Sequence, residues 1–122
     1  MSKILVAVYG SLRKGFHNHV VLGDSKYLGE FKTLPEYSLY NLGSYPGLKE
    51  NGKTSVITEV YEITKDVSLD LDWLEGYKEG VVDNSFYDKK IIQTTFGDAY
   101  LYIYIPKVNE NNLIESGDWK NN

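Results

Sequence analysis

The chain is 122 residues long, 42% hydrophobic and 14% aromatic, with 25% charged residues and no cysteine. Such a chain supports one globular core; chain-wide disorder, a second independent core, a disulfide scaffold and Cys-ligated metal are excluded. Thirteen Lys and Arg against 17 Asp and Glu give a formal charge of −4, which repels nucleic acid on average, and the pairs Arg13-Lys14 and Lys89-Lys90 are too small to form a basic groove.

Lys3–Tyr9 is a continuous apolar run ended by Gly10, the pattern of a strand buried on both faces. It is far short of the roughly 20 residues of a membrane span and shorter than a signal-peptide core, so the expected setting is cytoplasmic, away from membranes. Gly10–Gly15 is a loop by composition. His17–Leu22 predicts a short helix with Asn18 as cap and Gly23 as stop. Tyr27–Thr33 and Tyr37–Leu42 read as strands joined by Leu34-Pro35-Glu36, where Pro35 can be spared from a ladder. Ser44–Gly52 reads as turns, with Asn51-Gly52 a hairpin signal.

Thr54–Ile63 is rich in β-branched residues and predicts a long strand. Thr64 or Asp66 can cap a helix over Val67–Leu74, whose Val67, Leu71 and Leu74 form one apolar stripe, and Gly76 stops it. Phe86–Thr95 and Ala99–Ile105 predict a hairpin turning at Phe96-Gly97-Asp98. In its second strand Tyr100, Tyr102 and Tyr104 share one face, and Leu101, Ile103 and Ile105 the other, so both faces are covered. Leu113, Ile114 and Trp119 predict that the polar tail docks. With no repeat and no linker, residues 1–122 read as a single α+β domain: a small mixed β-barrel or sheet of about six strands flanked by two helices.

Three segments can carry chemistry. Tyr9-Gly10-Ser11-Leu12-Arg13-Lys14-Gly15 follows the first strand. Its backbone N–H groups suit an anion nest, and its glycines equally suit a plain tight turn. It is no Walker loop, because Phe16-His17 stand where Lys-Ser/Thr would be needed, and this argues against a nucleotide-binding domain. Glu75, at the end of the amphipathic helix, is a carboxylate where the helix dipole is negative. That raises its pKa toward the value a general acid/base needs, unless the side chain is merely solvated. Asp70 and Asp72 read as the solvated face of the same helix. The third segment, Tyr87-Asp88-Lys89-Lys90, reads also as a charged edge strand. His17 and His19, two apart, do not share a helix face, which argues against a metal site or a dyad built from both, while either one can still line a pocket mouth. Ser11 has no evident His/Asp partner for a triad.

Together, Val8–Gly15 with Asn18-His19, Tyr45-Pro46-Gly47, Thr58–Ile63, Leu71-Asp72-x-Leu74-Glu75-Gly76-Tyr77, Tyr87 and Ile114–Trp119 resemble the γ-glutamylcyclotransferase-like family, also called the avirulence-induced-gene family. The resemblance spans essentially the whole chain and implies that family's small mixed β-barrel. It implies a substrate cavity lined by Tyr9, Gly10, Ser11, Leu12 and Tyr87, with Glu75 as acid/base. The implied reaction cyclises a γ-glutamyl amide, a small-molecule substrate, to 5-oxoproline and a free amine, with no cofactor and no metal. Leu12, where another branch carries asparagine, places the chain near the γ-glutamylamine branch. Lys89 stands where many members carry arginine and lacks that residue's planar fork. The alternative from another class is a binding or regulatory module that keeps the pocket without turnover. The leaving amine and the oligomeric state are not legible in the sequence.

Overall fold

The computed structural model describes residues 4–10, 12–23, 25–43, 45–74 and 87–119, with His17, Asn18, Trp73 and Leu74 as backbone alone. The predicted glycine stop at Gly76 lies outside the described residues. The strands are β1 (Ile4–Val8), β2 (Lys26–Lys32), β3 (Tyr37–Asn41), β4 (Pro46–Glu50), β5 (Ile57–Ile63), β6 (Tyr87–Thr94) and β7 (Gly97–Tyr104); the helix α1 is Lys65–Leu74. Five strands pair in the order β2-β5-β1-β7-β6, and β3 with β4 forms a separate two-stranded ribbon. The larger sheet is mixed, since β1 runs parallel to β7 and every other pairing is antiparallel.

The unbroken apolar run of β1 is explained by its central place. Leu5, Ala7 and Tyr9 point into one core cluster, with Leu39 and Leu48 of the β3–β4 ribbon and Ile114 and Trp119 of the tail. Val6 and Val8 point into the other, with Leu12, Leu22, Tyr61 and Leu71. The faces of β7 divide as predicted: Leu101 and Ile103 join the ribbon side, while Tyr102, flanked by Tyr100 and Tyr104, joins the helix side. The tail docks as expected, the Ile114 N–H donating to the Leu39 carbonyl and the Ile57 N–H to that of Gly117.

Several sequence expectations are corrected. Pro46–Glu50, read as turn, is strand β4, with Pro46 at its first residue, where a missing N–H costs least. Asn51-Gly52 does turn the chain, Asn51 having a φ of 67°, but β3 and β4 are joined by residues 42–45 instead. The helix predicted at 17–22 is a six-residue 3₁₀ turn whose N-cap is Phe16, so Asn18 lies within it. Gly23 does end that turn, with φ 55°. In the β6–β7 hairpin the turn is Thr95-Phe96, because Gly97 already pairs with Thr94 and Asp98 with Gln93. Thr94 fixes this by accepting the Phe96 N–H at 3.1 Å and donating its hydroxyl to the Gly97 carbonyl at 2.7 Å.

Candidate active site

The end of β1 is where the sequence motifs meet. Tyr9 is buried, and its hydroxyl donates 2.8 Å to the Tyr102 carbonyl on β7. Gly10 lies against the Pro46 ring so closely that a Cβ added there would fall under 3.0 Å from Cγ and Cδ. Tyr87 of β6 is buried beside them, donates its hydroxyl 3.1 Å to the Pro46 carbonyl, and meets the Tyr104 ring edge-on at 5.3 Å between centroids. Gly47 in turn leaves room for Tyr104, another approach that a side chain would block. Tyr9-Gly10, Pro46-Gly47 and Tyr87 are thus one structural unit, although far apart in the chain.

After Gly10 the loop folds into consecutive turns, with the Arg13 N–H donating to the Gly10 carbonyl and the Phe16 N–H to that of Arg13. The Lys14 N–H donates 2.9 Å to Glu59 Oε1. These three N–H groups are therefore committed within the protein and do not contribute to an anion nest. Leu12 itself buries its side chain, and its carbonyl lies 2.9 Å from His19 Nδ1.

Beneath the loop is a buried ionic network that the sequence reading missed. Arg13, only 2% exposed, donates through Nε to Glu59 Oε2 at 3.1 Å and through Nη1 to Asp118 Oδ1 at 2.7 Å. Tyr61 donates to Glu59 Oε1 at 3.0 Å. Burial by itself would raise the Glu59 carboxyl, but hydrogen bonds from the Lys14 N–H, Arg13 and Tyr61 outweigh it and hold the pKa below 4.5. Burial would likewise lower the Arg13 pKa, and its bonds to Asp118 and Glu59 reverse the sign. The available signal was Glu59 on the same face of β5 as Tyr61 and Ile63: an acid on a face that is buried must find a partner. Arg13, weighed from sequence as half of a basic pair, is withdrawn from the surface altogether.

On the same face of the sheet, α1 lies over β6 and β7. Thr64 caps it by accepting the Val67 N–H at 3.2 Å, as predicted, and Leu71 is fully buried. Asp72 is not on a solvated face. It accepts the Tyr102 hydroxyl at 2.6 Å and the Lys89 ammonium, which reaches both carboxylate oxygens at 3.1 Å. Lys89 also lies 4.7 Å above the Tyr100 ring. A lysine at this position therefore bridges both oxygens of one carboxylate without arginine's fork. The last turn of α1 is pinned to the strands that carry Tyr87 and Tyr104.

A family model described as gamma-glutamyl cyclotransferase, AIG2-like, matches residues 6–121. The chain belongs to that family. A Vibrio cholerae protein provisionally named a gamma-glutamylcyclotransferase is 46% identical over 115 residues, 94% of each chain. The gamma-glutamylcyclotransferase family protein YtfP of Escherichia coli K12 is 38% identical, over 93% of this chain and 94% of that one. The crystal structure of an uncharacterized Pyrococcus horikoshii protein superposes with a TM-score of 0.78 at 32% identity, covering 96% of this chain and 90% of that one. The fold class and the family expected from the sequence are both borne out, and the expected enzyme class is the one for which the gamma-glutamyl cyclotransferase family is named.

Within that family frame, the structure brings Tyr9, Gly10, Leu12 and Tyr87 to one end of β1, with Pro46, Tyr102 and Tyr104 as neighbours. Ser11 and Glu75 lie outside the described residues. Among the described residues no three His, Asp or Glu side chains gather as a metal site, and no helix is long and apolar enough to cross a membrane.

Proposed function

We propose that this chain is a γ-glutamylcyclotransferase that converts a γ-glutamyl amide, of the γ-glutamylamine type, to 5-oxoproline and the free amine. The observation that carries the reading is the convergence of Tyr9-Gly10, Pro46-Gly47 and Tyr87 at the end of β1, in a chain matched by the family from residue 6 to 121.

The chemistry follows from the substrate. Its α-amine must lose a proton before it can attack, and Glu75 takes that proton. The amine nitrogen then bonds to the γ-carbonyl carbon, closing a five-membered ring. The bond from that carbon to the departing nitrogen breaks as Glu75 returns the proton to the leaving amine. The ring nitrogen then gives up its second proton to the freed carboxylate, leaving the lactam N–H of 5-oxoproline. Positioned proton transfer of this kind is worth about 10²–10⁴ in rate. Folding the γ-glutamyl chain so that amine meets carbonyl adds a proximity term. Backbone N–H groups of Gly10–Leu12 hold the substrate, since those of Arg13, Lys14 and Phe16 are already engaged. Leu12 packs its side chain among Leu22 and Leu71, which leaves only the backbone at that position for polar contact.

The test is release of 5-oxoproline from γ-glutamyl amines, γ-glutamyl-ε-lysine, γ-glutamyl amino acids and glutathione, comparing wild type with Glu75→Gln. The expected result is release that is strongest with a γ-glutamylamine and lost in the folded Glu75→Gln protein. Full activity in that variant removes Glu75 from the mechanism, and silence across the panel removes the cyclotransferase reading.

A further inference from the structure

The tail segment Gly117-Asp118-Trp119 touches the loop after Gly10 at two separate points. The Asp118 carboxylate takes one arm of the buried Arg13 guanidinium at 2.7 Å, and the Trp119 ring lies 6.5 Å from that of Phe16. The segment is itself rigidly placed. Gly117 has a φ of 69° and donates to the Ile114 carbonyl, while its own carbonyl accepts the Ile57 N–H at 2.8 Å. The Asp118 N–H lies 3.2 Å from the Ser116 hydroxyl. From the opposite side, Glu59 on β5 takes the Arg13 Nε and the Lys14 N–H. Residues 13 and 14 are therefore gripped between a central strand and the tail.

A buried network of this kind is a poor way to gain stability, because well-packed apolar side chains commonly do as well or better. What it supplies is geometry. Arg13's planar fork fixes two directions at once, and Arg13 is hydrogen-bonded through its N–H back to Gly10.

We propose that Asp118 is a positioning residue for the reaction: through Arg13 it sets the placement of Gly10 and Leu12, whose backbone holds the γ-glutamyl group, so the tail is part of the working site. The proposal rests on the cyclotransferase reading above. Asp118 touches no reacting atom; its effect runs through the loop, and the loss of its charge should weaken substrate binding more than turnover.

The experiment compares the full-length wild type with Asp118→Asn, which keeps shape and loses charge, and Asp118→Glu, which restores charge on a longer arm. Two readouts are taken: KM and kcat for 5-oxoproline release from the best γ-glutamylamine, and backbone amide exchange by NMR. A charge-assisted hydrogen bond of this sort is worth about tenfold at the low end when one partner is partly exposed. The expected result for Asp118→Asn is a KM raised about tenfold with kcat changed far less, and about tenfold faster exchange at Arg13, Lys14 and Phe16. Exchange at the β1 and β5 amides should stay unchanged, and Asp118→Glu should recover part of the loss. An unchanged KM in Asp118→Asn, or exchange that rises equally across the whole sheet, overturns the proposal. A wild type that releases no 5-oxoproline from any substrate overturns the cyclotransferase reading instead, which keeps the two failures apart.

Discussion

Gly10→Ala is the smallest change that probes the proposed substrate loop. Ordinary contact to a Cβ begins at 3.4 Å, whereas one added here would fall well under 3.0 Å from two atoms of the Pro46 ring. The loop and the ring must therefore separate by about an ångström, and the ring is rigid, anchored by its own backbone nitrogen and by the Tyr87 hydroxyl on its carbonyl. Overpacking of this kind costs about 1–3 kcal/mol in stability, visible in urea melts. If backbone N–H groups at Gly10–Leu12 hold the substrate, a displacement near 1 Å should also lower kcat/KM by about a hundredfold. Gly43→Ala is the matched control. Gly43 has a φ of 113° in open space, so alanine there meets backbone strain and no collision. It should lose about 1–2 kcal/mol with normal kinetics. Equal kinetic parameters in both variants would show that the loop is only a connector, and the reasoning from the Gly10–Pro46 contact would fail.

Lys89→Met strands a part-buried Asp72 carboxylate with the Tyr102 hydroxyl and no cation, and should cost about 1–3 kcal/mol in urea melts. Lys89→Arg should retain most of that stability, and 5-oxoproline release should fall with the methionine variant because the last turn of α1 loses its anchor. The Glu59 pKa is depressed in the folded state, so its stabilising contribution is present above the ordinary value of 4.5 and is lost as pH falls through the lower folded value. Wild type should therefore lose thermal stability more steeply than Glu59→Gln between about pH 5 and pH 3, while being the more stable protein at pH 7. Parallel pH dependence in the two proteins would remove Glu59 from the network's electrostatics.

The elements whose signals are local were legible in the sequence. The apolar run of β1, the Thr64 cap, the two faces of β7 and the docking of Ile114 and Trp119 all follow from periodicity, capping chemistry and burial of apolar surface. The errors fall where a local pattern has two solutions. Pro46–Glu50 carries turn residues, yet pairing with β3 makes it a strand, and only the tertiary contacts of Gly10 and Tyr104 explain why Pro46 and Gly47 stand there. The Thr95-Phe96 turn was misplaced because register is settled by cross-strand partners and by the Thr94 hydroxyl, not by the nearest glycine. Asp72 looked like surface because helical spacing says which residues share a face, not what a neighbouring strand brings to it. Arg13, Glu59 and Asp118 stand 46 and 59 positions apart along the chain, from 13 to 59 and from 59 to 118, and nothing in composition links them. The sequence alone determined which apolar runs and faces had to be buried; the path of the chain decided which charges go inside with them and which opposite charges meet, because an ion pair depends on proximity in space and leaves no period in the sequence.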